Sequence, residues 1–360
     1  MSCLYGRFCF GCASCGRHIV CLLRSENQVL RSDMMVEAVI KEPLWKIRFK
    51  LWLRSFKTNW ELFKERKLAV FGLGVIIFFA IFGLIYPLYP VVMKNIFWKD
   101  DPYGYQTFLP YDPIVGFDPE VISHPSPPSL RHPLGTDPLG RDILSMVMYS
   151  TPREFVLGIT AALITVVIGT IIGASSAYYG GVIDTFFMRL ADIVMLFPSL
   201  ALLMVLSAFI DLTLFRLAVI IGLLSGFGSI TLVLKAQALT VKVRPFIEAA
   251  KSAGASDAYI IFKHIIPNIL PLSFLYMMLN VTGAIFTEAT LSFLGLANIR
   301  MSWGVIIQMA ESSGYLMGAS IGTFWWLWVP AGACITLLCS AFYFLGRGLE
   351  EIVNPRLRKR

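Results

Sequence analysis

The sequence predicts an all-α polytopic membrane protein with six transmembrane helices and with both termini in the cytoplasm. Hydrophobic residues fill 56% of its 360 positions and charged residues only 15%, a balance typical of chains that cross a bilayer several times. Lys and Arg are unevenly distributed around the apolar segments, and this asymmetry predicts the orientation.

Six segments are long and apolar enough to cross the lipid bilayer. They are Leu68–Val92, Phe155–Tyr178, Ile193–Ile210, Leu214–Leu234, Leu272–Thr287 and Phe324–Leu345. A further apolar stretch, Tyr315–Ile321, is too short to cross.

The basic residues assign the loops to the two sides of the membrane. Residues 34–67 form a basic, aromatic segment that we expect to lie on the cytoplasmic membrane surface as an amphipathic helix. The first transmembrane helix, 68–92, leads to an extracytoplasmic loop, 93–153. A transmembrane core, 154–346, and a cytoplasmic tail, 347–360, follow. The net charge of +8 is therefore divided among juxtamembrane sites, a pattern that predicts no nucleic-acid partner.

The N-terminal segment contains Cys9, Cys12 and Cys15 at a spacing that could hold an iron–sulfur cluster or zinc. The fourth ligand is misplaced, however, and His18 stands alone. We therefore expect residues 1–33 to be a disordered extension, with Met34 or Met35 as plausible starts, and we expect no metal and no other cofactor.

A polar hairpin, Pro245 to Pro271, lies inside a predicted cytoplasmic loop at 235–271. Pro245 suits the first turn of a helix, and Glu248 lies near the positive end of its dipole. Gly254 can adopt the left-handed conformation that ends a helix. A narrow apolar face combines one aromatic ring with small side chains: Phe246, Ala249, Ala250 and Ala253. Because the alanines are small, another surface can approach this helix closely.

A second short helix should follow, capped by Ser256. Its predicted apolar face consists of Ala258, Ile261, Phe262 and Ile265. An isolated helix this short is unstable in water, so the hairpin needs a docking partner. An ordinary amphipathic hairpin on the membrane surface is the alternative.

The external loop ends in the string His132 to Val147. Asp137 is predicted to cap a helix whose first turn contains Pro138, with an apolar stripe beyond it. His124 and His132 lack a clustered third ligand, so we interpret them as structural rather than metal-binding.

Both motifs resemble the permeases of the dipeptide, oligopeptide and nickel family of ABC importers. The Glu-Ala-Ala spacing before Gly254, closed by His264 to Pro267, is similar to the EAA loop of that family, and His132 to Ser145 is similar to its external string. Two further segments, Leu291–Leu296 and Ser302–Gly304, also resemble that family. Phe227, Leu232, Lys235, Ala297 and Asn354 depart from the usual family residues.

The resemblance implies a type I permease fold and an ATPase-coupling site. The residues implied to couple are Phe246, Glu248, Ala249, Ala250, Ala253, Gly254, Ile265 and Pro267. It also implies three kinds of partner: a second homologous permease, two cytoplasmic ATP-binding subunits and an extracytoplasmic solute-binding protein. The solute stays open among peptides, oligosaccharides and nickel.

Other classes of protein fit the sequence less well. The sequence has no phosphate-binding Gly-x-x-x-x-Gly-Lys string, so ATP hydrolysis is assigned to partner subunits and the chain is not itself an enzyme. A membrane-embedded enzyme would need a catalytic set that we do not find, and a passive channel would not need the hairpin. Glu288 could line an external gate or mouth, with a structural role at the helix end as the alternative.

Overall fold

The computed structural model describes residues 60–96, 111–117 and 121–353, except positions 62, 115, 122 and 319. Trp60 and Glu61 belong to a first unit that ends at Leu62, and the fold below is that of the unit beginning at Phe63. The predicted extension at 1–33, most of the amphipathic segment, residues 97–110 of the external loop and 354–360 of the tail lie outside the described residues.

The described residues form helices and turns, with one isolated bridge between Thr136 and Asp142 and no strand, which confirms the all-α prediction. Short π and 3₁₀ turns at Ile261–Ile265 and Trp325–Leu327 precede α9 and α12. The helices are α1 (Lys67–Ile96), α2 (Ile143–Tyr179), α3 (Gly181–Leu196), α4 (Ser199–Ser207), α5 (Leu214–Phe227), α6 (Ser229–Lys242), α7 (Pro245–Ser252), α8 (Asp257–Ile260), α9 (Ile266–Phe293), α10 (Trp303–Ser312), α11 (Ser320–Thr323) and α12 (Val329–Val353).

Four helical segments in the described ranges are long and apolar enough to cross a membrane: Lys67–Tyr86, Ile143–Tyr179, Asp257–Phe293 and Val329–Glu350. Two bent pairs, α3 with α4 and α5 with α6, raise the number to six if each pair is one span. The bends are 75° and 43°.

The bends interrupt the predicted third and fourth spans. Phe197 adopts an extended conformation before Pro198, as residues preceding proline do, so the predicted span Ile193–Ile210 breaks there. The predicted span Leu214–Leu234 breaks at Gly228, whose backbone is not helical.

The second long helix starts earlier than the predicted Phe155. The Asp142 side chain accepts a hydrogen bond from the Ser145 backbone N–H and caps the helix at Ile143. Asp137 does not cap a helix, contrary to prediction, because its carboxylate accepts bonds from the Leu139 and Arg141 backbone N–H groups within a tight turn.

Helix α2 is the centre of the bundle and packs against α1, α5, α6 and α9. Small residues permit this packing: a Cβ added at Gly222 of α5 would lie 2.8 Å from Cβ of Ile164. A Cβ added at Gly173 of α2 would likewise lie 2.8 Å from the backbone nitrogen of Lys235. These glycines therefore allow close helix–helix contact.

Candidate functional site

Helix α7 forms the first arm of the hairpin and begins at Pro245, as predicted. Glu248 lies in its first turn, where the helix dipole favours an acidic side chain. Ala253 caps the helix, and Gly254 follows with φ of 80°. This left-handed residue reverses the chain, and Ala255 N–H then bonds to the Ala250 carbonyl at 3.1 Å.

The two sides of α7 differ in burial. Ile247 is fully buried and Ala250 is half-buried against the rest of the chain. Most of the residues singled out for coupling are exposed: Phe246, Glu248, Ala249, Ala253 and Gly254. A Cβ at Gly254 would meet no atom within 4 Å. The helix is therefore held by one side while its aromatic and alanine side stays open.

The second arm differs from the predicted short helix. Ser256 caps it as expected, but the helix continues from Asp257 to Phe293 past Pro267 and Pro271. The π turn Ile261–Ile265 precedes Pro267, which lies in the first turn of α9, where a missing N–H is tolerated.

The buried face of this arm is also shifted from the prediction. Ile261 and Ile265 are buried as expected, whereas Phe262 is 60% exposed and Ala258 is exposed. The buried face of this arm consists instead of four isoleucines: Ile260, Ile261, Ile265 and Ile269. Ile265 thus packs in the core, and Pro267 is exposed.

Both arms are anchored on the end of α2, a contact that sequence reasoning missed. The Tyr178 hydroxyl donates to the Asp257 carboxylate at 2.6 Å, and the Lys251 ammonium lies 4.9 Å from the centre of the Tyr178 ring. Lys242 Nζ donates to the Ala177 carbonyl at 2.9 Å. The hairpin is therefore attached to α2 as well as to the helices that precede and follow it.

An ion pair joins the two bent helix pairs close to this anchor. Lys235 Nζ of α6 lies 2.5 Å from Asp184 Oδ1 of α3, and both side chains are less than one-third exposed. Lys235 is one of the departures from the usual family residues. Its partner could not be predicted because 51 positions of sequence separate the two residues.

Glu288, for which the sequence left open an external mouth or a structural role at the helix end, is buried, with 1% exposure. Ser292 Oγ donates to its carboxylate at 2.6 Å, and the buried Glu154 of α2 lies near its carboxyl group. Ser292 lies one turn further along α9, and packing of α2 against α9 brings Glu154 to the same place.

The external string forms a local hydrogen-bond network at the start of α2. His132 Nδ1 lies 2.9 Å from Asp142 Oδ1, and Ser145 Oγ donates to Asp142 Oδ2 at 2.6 Å. The serine therefore lies on the carboxylate and not on the imidazole, which is not the order of a nucleophilic triad. His124 Nδ1 pairs with the Thr136 hydroxyl at 2.9 Å.

The long apolar helices and the partly open hairpin define the class as a multi-pass helical membrane protein. The family model described as "Binding-protein-dependent transport system inner membrane component" matches residues 165–359. The chain belongs to this family and is a multi-pass component of the plasma membrane.

Curated relatives agree with this assignment. The chain is 32% identical over 300 residues to the oligopeptide transport system permease protein OppC of Bacillus subtilis, covering 82% of this chain and 88% of the relative. It is 36% identical over 235 residues to a putative peptide transport system permease protein of Brucella suis, covering 64% and 76%. A putative peptide permease protein of Brucella ovis is 32% identical over 279 residues, covering 77% and 87%.

Proposed function

We propose that this chain is one permease subunit of an ATP-driven, binding-protein-dependent importer of peptides, and that α7 couples it to the ATPase. The observation that carries the proposal is the open side of α7. Phe246, Ala249 and Ala253 are exposed there while the opposite side is packed on the molecule. A short helix that exposes a ring beside small residues is suited to lie in a groove of a partner.

The remaining partners and the topology complete the proposal. Each bent pair counts as one span, which gives six spans, cytoplasmic termini and the hairpin on the cytoplasmic side, as the distribution of Lys and Arg favours. A second homologous permease shares the pathway, two cytoplasmic subunits hydrolyse ATP, and an extracytoplasmic protein delivers the solute. ATP-driven movement of the hairpin would tilt α2, α6 and α9 together, because all three contact it.

Peptides are the proposed solute because the relatives named above are peptide or oligopeptide permeases. Oligosaccharides or nickel are the second candidates, on family resemblance. Cells that express the whole complex are given labelled di-, tri- and pentapeptides, labelled nickel or labelled maltotriose. The solute that they take up distinguishes these candidates.

The coupling role is tested with Gly254→Val and with Ala249→Glu, which lies on the open side of α7, in the assembled complex. Valine at φ of 80° is strained by roughly 1 kcal/mol or more, and glutamate puts a charge into the proposed contact. We expect both variants to insert and to bind the solute-binding protein, but to lose most peptide uptake and solute-stimulated ATP hydrolysis.

The matched control is Gly314→Val. Gly314 has φ of 83° and open space around it, like Gly254, but lies after α10, away from the hairpin. Parental uptake by both hairpin variants, or equal loss in the Gly314→Val control, would overturn the coupling assignment.

A further inference from the structure

A cavity of about 520 Å³ opens between α1, α2 and the start of α5. It is lined by Tyr86, Tyr149, Pro152, Arg153, Val156 and Leu214. Arg153 lies two residues before Phe155, where the second predicted apolar span begins, which places the cavity at the level where aromatic side chains meet the membrane–water interface.

Arg153 is held in place but not satisfied. Its guanidinium carbon lies 3.5 Å from the centre of the Tyr149 ring, and Nη1 donates to the Tyr149 carbonyl at 2.7 Å. Within the residues that the structure describes, its other N–H groups have no hydrogen-bond partner, and neither do the Tyr86 and Tyr149 hydroxyls. A guanidinium has five donors arranged to bind a carboxylate or a phosphate, so the cavity is suited to an anion.

The surface of α2 next to the cavity indicates which kind of anionic molecule binds there. A stripe of exposed apolar side chains continues along the same face of α2: Val156, Ile159, Leu163, Val167 and Ile171, each 42–55% exposed. They recur three or four residues apart and so share one side of the helix. At 1.5 Å per residue the stripe is about 22 Å long, more than the roughly 15 Å of one leaflet of hydrocarbon.

An acidic side chain of the external loop, Asp112, lies near the cavity. Asp112 interacts electrostatically with Tyr86, and Asp112 Oδ1 accepts a hydrogen bond from the Ile114 backbone N–H at 2.7 Å. Asp112 does not line the cavity. The lining therefore presents a cation and two hydroxyls, and the Asp112 carboxylate near it already accepts a backbone hydrogen bond.

We infer that this cavity binds a membrane phospholipid, with the phosphodiester on Arg153 and the two tyrosine hydroxyls and one acyl chain along the α2 stripe. A free phosphate or a peptide carboxylate would use the arginine but leave the stripe uncovered. The inference rests on the position of the chain in the membrane and is independent of the coupling role of α7.

The test is native mass spectrometry of the whole transport complex, purified in mild detergent and supplied with phosphatidylglycerol. The parental complex should retain the lipid, and Arg153→Gln should weaken retention about tenfold, as expected for loss of hydrogen bonds to a charged group. Arg153→Lys keeps the charge but loses the planar set of guanidinium donors, and we expect about threefold weaker retention. This variant replaces Arg153→Gln in the test if Arg153→Gln fails to assemble.

Arg216→Gln is the matched control, because Arg216 is an exposed arginine on the first turn of α5 that does not line the cavity. It should retain lipid like the parent, and neither 10-fold excess inorganic phosphate nor an acetylated tripeptide should displace the lipid. Full retention by both Arg153 variants, equal loss in the Arg216 control, or displacement by either soluble anion would overturn the assignment.

Discussion

Tyr178 shows at the scale of a single residue how the hairpin is tied to the bundle. Its hydroxyl bonds to Asp257 at the start of the second arm and its ring contacts Lys251 on the first arm. Tyr179, the next residue, is 47% exposed and makes no hydrogen bond to the hairpin within the described residues. These neighbouring tyrosines therefore differ in their contacts with the hairpin.

We predict that Tyr178→Phe lowers the number of peptides transported per ATP hydrolysed, because movement of the hairpin would no longer be transmitted through the hydroxyl to α2. A hydrogen bond to a charged acceptor contributes about 1.5–3 kcal/mol, so the ratio should fall about tenfold. Asp257→Asn should lower it similarly, and the double variant should be no worse than either single change.

Proteoliposomes that contain the full complex allow both rates to be measured on one sample. Tyr179→Phe should keep the parental ratio. A parental ratio in Tyr178→Phe, or losses that multiply in the double variant, would show that this hydrogen bond does not transmit the movement.

At the scale of the elements, glycines decide how closely α5 approaches α2. A Cβ at Gly222 would lie 2.8 Å from Cβ of Ile164 and 2.9 Å from the Ala161 carbonyl oxygen, whereas a Cβ at Gly332 of α12 would meet nothing within 4 Å. Both glycines lie inside helices. The same substitution therefore has opposite consequences at the two positions.

We predict that Gly222→Ala destabilises the protein by roughly 1–3 kcal/mol, because the added methyl group overpacks a helix contact made partly with backbone. Gly332→Ala should be neutral or stabilising by up to about 1 kcal/mol. Thermal unfolding of the purified complex, followed by loss of monodisperse protein, compares the two. A Gly222→Ala variant as stable as Gly332→Ala would contradict the close packing described for α5.

At the scale of the whole molecule, the proposed topology puts the external string and the hairpin on opposite sides of the membrane. Ile114 is 37% exposed and precedes the string, and Ser252 is exposed at the end of α7. We predict that, once the seven native cysteines are replaced by serine, Ile114→Cys reacts with an impermeant maleimide in intact cells.

Ser252→Cys should react only after permeabilisation, which makes it the internal control for the same reagent. Labelling of both positions in intact cells would indicate leaky cells. The reverse pattern, with Ser252→Cys alone labelled from outside, would invert the topology and remove the hairpin from contact with a cytoplasmic ATPase.

The sequence by itself determined the properties that depend on local chemistry. Helix formation, the start of α7 at Pro245, the Ser256 cap and the left-handed Gly254 could be predicted because hydrophobic spacing, missing N–H groups and allowed backbone angles act within a few residues. The apolar segments likewise predicted a multi-pass membrane protein, because the membrane requires apolar length.

Only the tertiary structure decided what distant helices do to one another. The anchoring of the hairpin by Tyr178, the pairing of Lys235 with Asp184 and the burial of Glu288 beside Glu154 all join positions on different helices. The π turn at Ile261–Ile265, through which the second arm continues into α9, was not predicted from the sequence either. Hydrophobic periodicity gives each helix an inner face, but it does not specify which partner that face meets, since close packing is decided jointly by all the helices of the bundle.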